Sequence, residues 1–233
     1  MLRKLSVALA VIAFGSLAAS AADTPYRDGS GRFSVTVPDG WSAQAVGDSQ
    51  IALLIGAPDA DDFSGLCIVM VRDVPELRSL TQAQIDEVFG KEMTRAFWEA
   101  AFQATNAKDV TVEDNGTRAQ NGHQAYYAVG SATVTLPTGA VLRAKTKLQM
   151  QVIPGSFHAV NCRAKAETFA GYEAQFEKVF ASHIPLGSGY IASLPQGGPV
   201  TLNQARPNAR ATLNAARVMI SDQLRLSQYP RRR

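Results

Sequence analysis

From Leu142 to Val152 the chain alternates without a break. Leu142, Ala144, Thr146, Leu148, Met150 and Val152 fall on one parity, and Arg143, Lys145, Lys147, Gln149 and Gln151 on the other. Successive strand side chains point to opposite faces, so this stretch specifies a β-strand with one apolar and one polar face. A helix would scatter both sets around its circumference. A strand of this kind needs partners, and the flanking sequence supplies them. Pro137-Thr138-Gly139 and Pro154-Gly155 read as turns, because proline and glycine punctuate regular structure. Strands are therefore expected near 109–119, 123–135, 140–153 and 156–164, joined as an antiparallel run.

Upstream the same period recurs. Phe33, Val35 and Val37 alternate with Ser34 and Thr36, and Pro38-Asp39-Gly40 ends that strand ahead of Trp41, which is expected at the domain edge. Gln50–Ile55 and Leu66–Val74 are two further strands, separated by a loop rich in Asp, Pro and Gly. The period then changes: Ile85, Val88, Phe89, Met93, Ala96, Phe97, Ala100 and Ala101 recur at steps of three and four, which places them on one helical face. Thr81 followed by Gln84 fits a capping box, in which each side chain satisfies a free backbone N–H of the other residue. The spacing predicts one helix over 81–104 and a second over 168–182, with Phe169, Tyr172, Phe176, Val179 and Phe180 inward. The expected fold class is α+β, an antiparallel sheet of six or seven strands with two main helices.

The ends differ from this domain. Arg3 and Lys4, a short apolar run from Leu5 to Leu17, and Ala19-Ser20-Ala21 match a secretory signal peptide over residues 1–21. The apolar run is shorter than the roughly 20 residues that span a bilayer. The expected compartment is therefore periplasmic or extracellular, and oxidising. Residues 22–30 form a polar leading segment and 31–186 the domain, and from 22 to 186 there are 14 basic and 19 acidic residues. Residues 187–233 carry seven arginines and a single acid, Asp222, among scattered Gly and Pro. They read as a mostly disordered cationic tail.

The run Phe33-Ser-Val-Thr-Val-Pro-Asp-Gly-Trp41 resembles the opening of PsbP-like proteins, a family that includes bacterial DcrB-type envelope proteins. The element order over residues 31–186 is similar too, and Phe176-Glu-Lys-Val-Phe-Ala-Ser-His-Ile resembles the family's closing helix. His183 stands where an aromatic residue often follows the serine. The resemblance implies a sheet sandwiched with helices and a non-enzymatic binding or assembly role. It implies no particular ligand.

Candidate chemistry is sparse. Cys67 and Cys162 share strand parity with valines, so both face a core. They are either a disulfide closing a loop of about 95 residues or two buried thiols on non-adjacent strands. Bridging needs Cα atoms within about 7 Å. Neither cysteine opens a helix, the setting that lowers a thiol pKa. His123, His158 and His183 lack the spacing of known metal ligand sets. His183 is expected as a helix-end cap compatible with the dipole. Asp59-Ala-Asp61-Asp62 reads as a solvated acidic loop, since it lacks the glycine and terminal glutamate of a calcium loop. No G-x-S-x-G, phosphate-loop or dinucleotide fingerprint occurs, so no cofactor is expected.

Two electrostatic features remain. Arg143, Lys145 and Lys147 line one strand face, with Thr133 and Thr135 across the turn, and could bind an anionic polymer or an acidic partner. An ordinary solvated face is the alternative. Arg206, Arg210, Arg217, Arg225, Arg231, Arg232 and Arg233 could hold the chain to an anionic membrane surface or cell-wall polymer. The modest net charge of +3 argues against a nucleic-acid partner. The reading that follows is a non-enzymatic envelope binding or assembly-accessory protein, engaging a protein or a small amphipathic ligand. A structural protein tethered by its tail and a hydrolase assembled only in space are the alternatives.

Overall fold

Two antiparallel meanders build the main sheet of the computed structural model, which describes residues 22–47, 51–61, 63–103, 107–136 and 138–186. The first meander is β3 (Ser42–Ala45), β4 (Ile51–Asp61) and β5 (Ser64–Asp73). The second is β6 (Lys108–Gln120), β7 (His123–Thr135), β8 (Val141–Ile153) and β9 (Ser156–Lys165). They join where β9 pairs with β5, giving seven strands in the order β3-β4-β5-β9-β8-β7-β6. A smaller sheet, β1 (Thr24–Arg27), β2 (Phe33–Val37) and β10 (Ile184–Pro185), has the order β1-β2-β10.

The expected alternation of β8 is realised. Leu148, Met150 and Val152 enter an apolar cluster together with Ile68 and Met70 of β5 and Phe157 and Ala159 of β9. Helices α1 (Gln82–Glu92) and α2 (Arg95–Gln103) close that face with Ile85, Phe89, Phe97, Trp98 and Phe102. The opposite parity, with Cys67, Val69 and Val71 of β5 and Val160, Cys162 and Ala164 of β9, forms a second cluster. It is covered by α3 (Phe169–Ser182) and by Phe33, Val35 and Val37 of the small sheet. The result has three layers: α1 and α2, the main sheet, then α3 beside the small sheet. Trp41 sits at the rim of the second cluster, edge-on to Tyr172 and Phe176.

Local chemistry sets the element ends. Both halves of the capping box form: Gln84 N–H donates to Thr81 Oγ1, and Thr81 N–H donates to Gln84 Oε1. Asn121-Gly122 links β6 to β7 with both residues at positive φ, the conformation a two-residue hairpin loop requires. Gly65 is fixed by both conformation and space, since its φ is +63° and an added Cβ would lie 2.7 Å from the Tyr172 ring.

Three expectations are corrected. The helix predicted over 81–104 is two helices, because Met93 leaves helical geometry at ψ 52° and Thr94 Oγ1 accepts from Phe97 N–H to start the second. Met93 stays buried with the core, so the apolar period runs through the break. Part of the leading segment 22–30 is a strand, β1, paired to β2 despite its polar sequence. The loop expected between Ile55 and Leu66 is mostly strand, the ends of β4 and β5, with an irregular register between Gly56 and Asp61. The signal-peptide and cationic-tail expectations, at 1–21 and 187–233, lie outside the described residues.

Candidate functional site on the polar face of the sheet

Cys67 and Cys162 are direct partners in the β5–β9 ladder, with Cα atoms 4.0 Å apart, and they form a disulfide. The two strands are therefore adjacent. The bond lies within the second apolar cluster and crosses the seam between the two meanders.

The basic row of β8 occupies this same face, and it is not an open solvated row. Arg143 at the strand's start is exposed, Lys145 is 28% exposed and Lys147 only 14%. The burial follows from α3, which lies over β2, β5 and β9 and sends side chains toward β8. Lys145 Nζ is 2.7 Å from Glu113 Oε2 and 5.1 Å from the centre of the Phe169 ring. Lys147 pairs with Glu177 of α3 and stands 5.7 Å from the Phe180 ring. Arg118 of β6 reaches the same Glu177 at 3.2 Å and also bonds Gln149. Arg143 Nη2 donates to Ser131 Oγ at 2.9 Å. Lys145 and Lys147 thus each meet a carboxylate within the domain, and Arg143 is the member of the row that faces water.

Protonation follows the same geometry. Lys145 beside Glu113 outweighs partial burial and holds that carboxyl below its usual range. Burial, with Arg118 nearby, pushes the Lys147 ammonium down. Burial also lowers the Arg118 guanidinium.

Beyond α3, β6 and β7 continue this face with half-exposed Tyr127, Val129 and Thr133. Thr133 is opposite Arg143 and Thr135 opposite Val141, so both threonines share the basic face as expected. Tyr127 lies over Gly116, where an added Cβ would come within 3.0 Å of the phenol oxygen. Tyr127, Arg118 and Glu177 were not expected here. Their signal was present only in combination, as a half-buried aromatic opposite a glycine in the ladder.

The remaining candidates are placed as follows. Asp59 accepts from the Tyr172 hydroxyl at 3.0 Å, and Asp61 accepts from Phe63 N–H while lying 3.7 Å from Lys165. No group of three or more metal-ligating side chains occurs among the described residues. Arg206, Arg210, Arg217, Arg225 and Arg231–Arg233 lie outside them. His183 departs from expectation. It ends α3, but its ring is fully buried against His158. Burial pushes its pKa down to about 3, so it is neutral and not a cationic cap.

No family model and no curated protein sequence matches this chain. Solved structures match its fold. The solution structure of cyanobacterial PsbP (CyanoP) from Synechocystis sp. PCC 6803 aligns with a TM-score of 0.50 at 13% identity, over 73% of this chain and 96% of that one. LpqN, involved in cell envelope biogenesis of Mycobacterium tuberculosis, aligns with a TM-score of 0.46 at 14% identity, over 70% and 89%. The Ran-binding protein Mog1p of Saccharomyces cerevisiae aligns with a TM-score of 0.43 at 10% identity, over 72% and 97%. The domain has the PsbP-like fold that the Phe33–Trp41 run implied, and at this identity the likeness is one of fold.

Proposed function

We propose that this chain is a non-enzymatic accessory protein of an oxidising envelope compartment, which binds a partner protein through the β6–β8 wing of its main sheet. The observation that carries the reading is the uneven cover of one sheet face. α3 seals the half over β5 and β9, while Tyr127, Val129, Thr133 and Arg143 stay accessible on the other half. A rigid sheet face with an aromatic ring, a β-branched side chain and an exposed arginine has the composition of a protein-binding surface, where aromatic residues and Arg are enriched. The Cys67–Cys162 disulfide supports the compartment, since such bonds persist where thiols are not kept reduced.

Photo-crosslinking in cells tests the reading. A crosslinker at position 129 or 133 should give adducts with a discrete partner, and one at position 91 on the helical side should not. Equal adducts from both sides would refute the wing as the binding surface. A second reading, tethering by the tail, is favoured by one sequence observation, the seven arginines against one acid in 187–233. It predicts that removing those residues abolishes salt-sensitive binding to anionic liposomes. Unchanged binding after removal would end it.

A further inference from the structure

The small sheet is fastened to the domain at a buried polar cluster that the binding reading does not use. His183 links α3 directly to β10, and its ring sits between Phe33 of β2, 5.7 Å away, and His158 of β9, 5.5 Å away, centre to centre. Both imidazoles are 1% exposed. His183 Nδ1 lies 3.0 Å from Gln151 Oε1, and His158 Nε2 lies 2.9 Å from Ser156 Oγ. The opposite ring nitrogens, His183 Nε2 and His158 Nδ1, have no hydrogen-bond partner, nor has Gln151 Nε2. Outside the ring, the His183 carbonyl accepts from Gln120 Nε2 at 2.9 Å and from Asn121 Nδ2 at 3.1 Å. One residue thus joins the end of α3 to β2, β8, β9 and the β6–β7 turn.

We propose that the His158–His183 pair is an acid-sensitive latch, and that proton uptake by the pair frees β10 from β2 and opens the small sheet while the main sheet stays folded. With Nδ1–H directed at Gln151, the Nε2 lone pair of His183 is the atom left to take a proton. An imidazolium there would be buried, without an acceptor for its new N–H, and beside a second imidazole. Such a group is accommodated only by reaching water. The groups around the pair do not offset this. Arg32 and His123 add positive character near His158, and Asp28 is the anion that opposes them. Asp28 is already committed to Arg32, at 3.0 Å. The fastening that would give way is short. It consists of Ile184 opposite Ser34, Pro185 opposite Phe33, and the Leu186 N–H to Arg32 carbonyl bond of 2.8 Å. The main sheet keeps the unbroken β5–β9 ladder and the disulfide across its seam. This inference is independent of the binding reading.

The sign follows from linkage. Both rings bind protons less well closed than open, so the open form gains as pH falls below the ordinary imidazole pKa of 6.5. Amide hydrogen exchange on the full-length chain, corrected for the pH dependence of the chemical step, reads the opening directly. Between about pH 6.5 and 4 the open population at Leu186 should rise by up to about tenfold per pH unit for each histidine, and up to about a hundredfold for the pair. Amides of β5 and β8 should stay protected across that range. H183Q should cut the dependence to about tenfold per unit, and H158L should do the same from the other side. Three results would overturn the latch: a Leu186 opening indifferent to pH, β5 and β8 amides accelerating in step with Leu186, or an unchanged dependence in a folded variant. The first two need only the unaltered protein, so they decide even where a variant fails to fold.

Discussion

The two faces of the main sheet are stabilised by different means. Toward α1 and α2 large apolar side chains fill the cluster, Trp98, Phe89, Tyr126, Phe157 and Met70, with buried Asn161 and Arg163 on the same strand parity. Toward α3 and the small sheet the apolar cluster shares its space with a disulfide, two neutral histidines, Gln149 and Gln151, all buried. Both faces come from the same strands at opposite parity. Period-two patterning decides which residues share a face, and what lies on top decides whether that face is surface or interior.

The contrast can be broken first at the disulfide, where the effect is as large as that of losing a core aromatic. Replacing both Cys67 and Cys162 by serine should lower unfolding free energy by about 4 kcal/mol, because the bond closes a loop of 95 residues. Urea denaturation would show it as a lower midpoint. A loss below about 1 kcal/mol would mean that packing alone holds the seam. On the helical face, Trp98→Ala should cost about 3–5 kcal/mol, the usual range for truncating a buried aromatic. On the other face, Lys147→Met should be within about 1 kcal/mol of neutral. It removes a mostly desolvated charge and keeps the stem against Phe180. If Lys147→Met proves as costly as Trp98→Ala, the two faces are not stabilised differently.

A smaller effect concerns Asp28 at the base of the small sheet. Burial opposes its charge, but hydrogen bonds from Arg32 and Ser30 outweigh it and hold the carboxyl down to about 2. A depressed carboxylate stabilises above its unfolded pKa of 3.8, and the contribution is lost as pH falls through 2. Asp28→Asn should therefore cost about 2 kcal/mol at neutral pH. The cost should shrink toward pH 2, in the same direction as the histidine dependence but at lower pH, when midpoints are compared across that range. A cost unchanged down to pH 2 would assign Asp28 a purely steric role.

Much of the fold was legible because its signals are local. The alternation of β8, the Thr81–Gln84 box and the Pro-Gly turns each depend on residues a few positions apart. The break at Met93 was hidden because Met93 is itself apolar and buried, so the period crosses it. β1 was hidden because Thr24-Pro-Tyr-Arg carries no alternating apolar set, and the Tyr26 ring that packs against Phe33 gives no period by itself. The site was least legible. The parity of Arg143, Lys145 and Lys147 was correct, but their surroundings depend on where α3 lands, and Glu177 lies 30 residues from Lys147. The cysteine pairing likewise rests on β9 returning beside β5, a register no short window contains.

The seam disulfide has a mechanical consequence. Covalently, a pull applied between residues 22 and 186 runs along the chain to Cys67, crosses the sulfur–sulfur bond to Cys162 and continues through β9, α3 and β10. Everything from residue 68 to 161, including α1, α2 and the whole β6–β8 wing, hangs off that path as a closed loop. Load on the two ends can strip the small sheet and α3, yet it cannot be transmitted as tension into the wing. The surface assigned to partner binding sits in the part of the molecule that stretching spares.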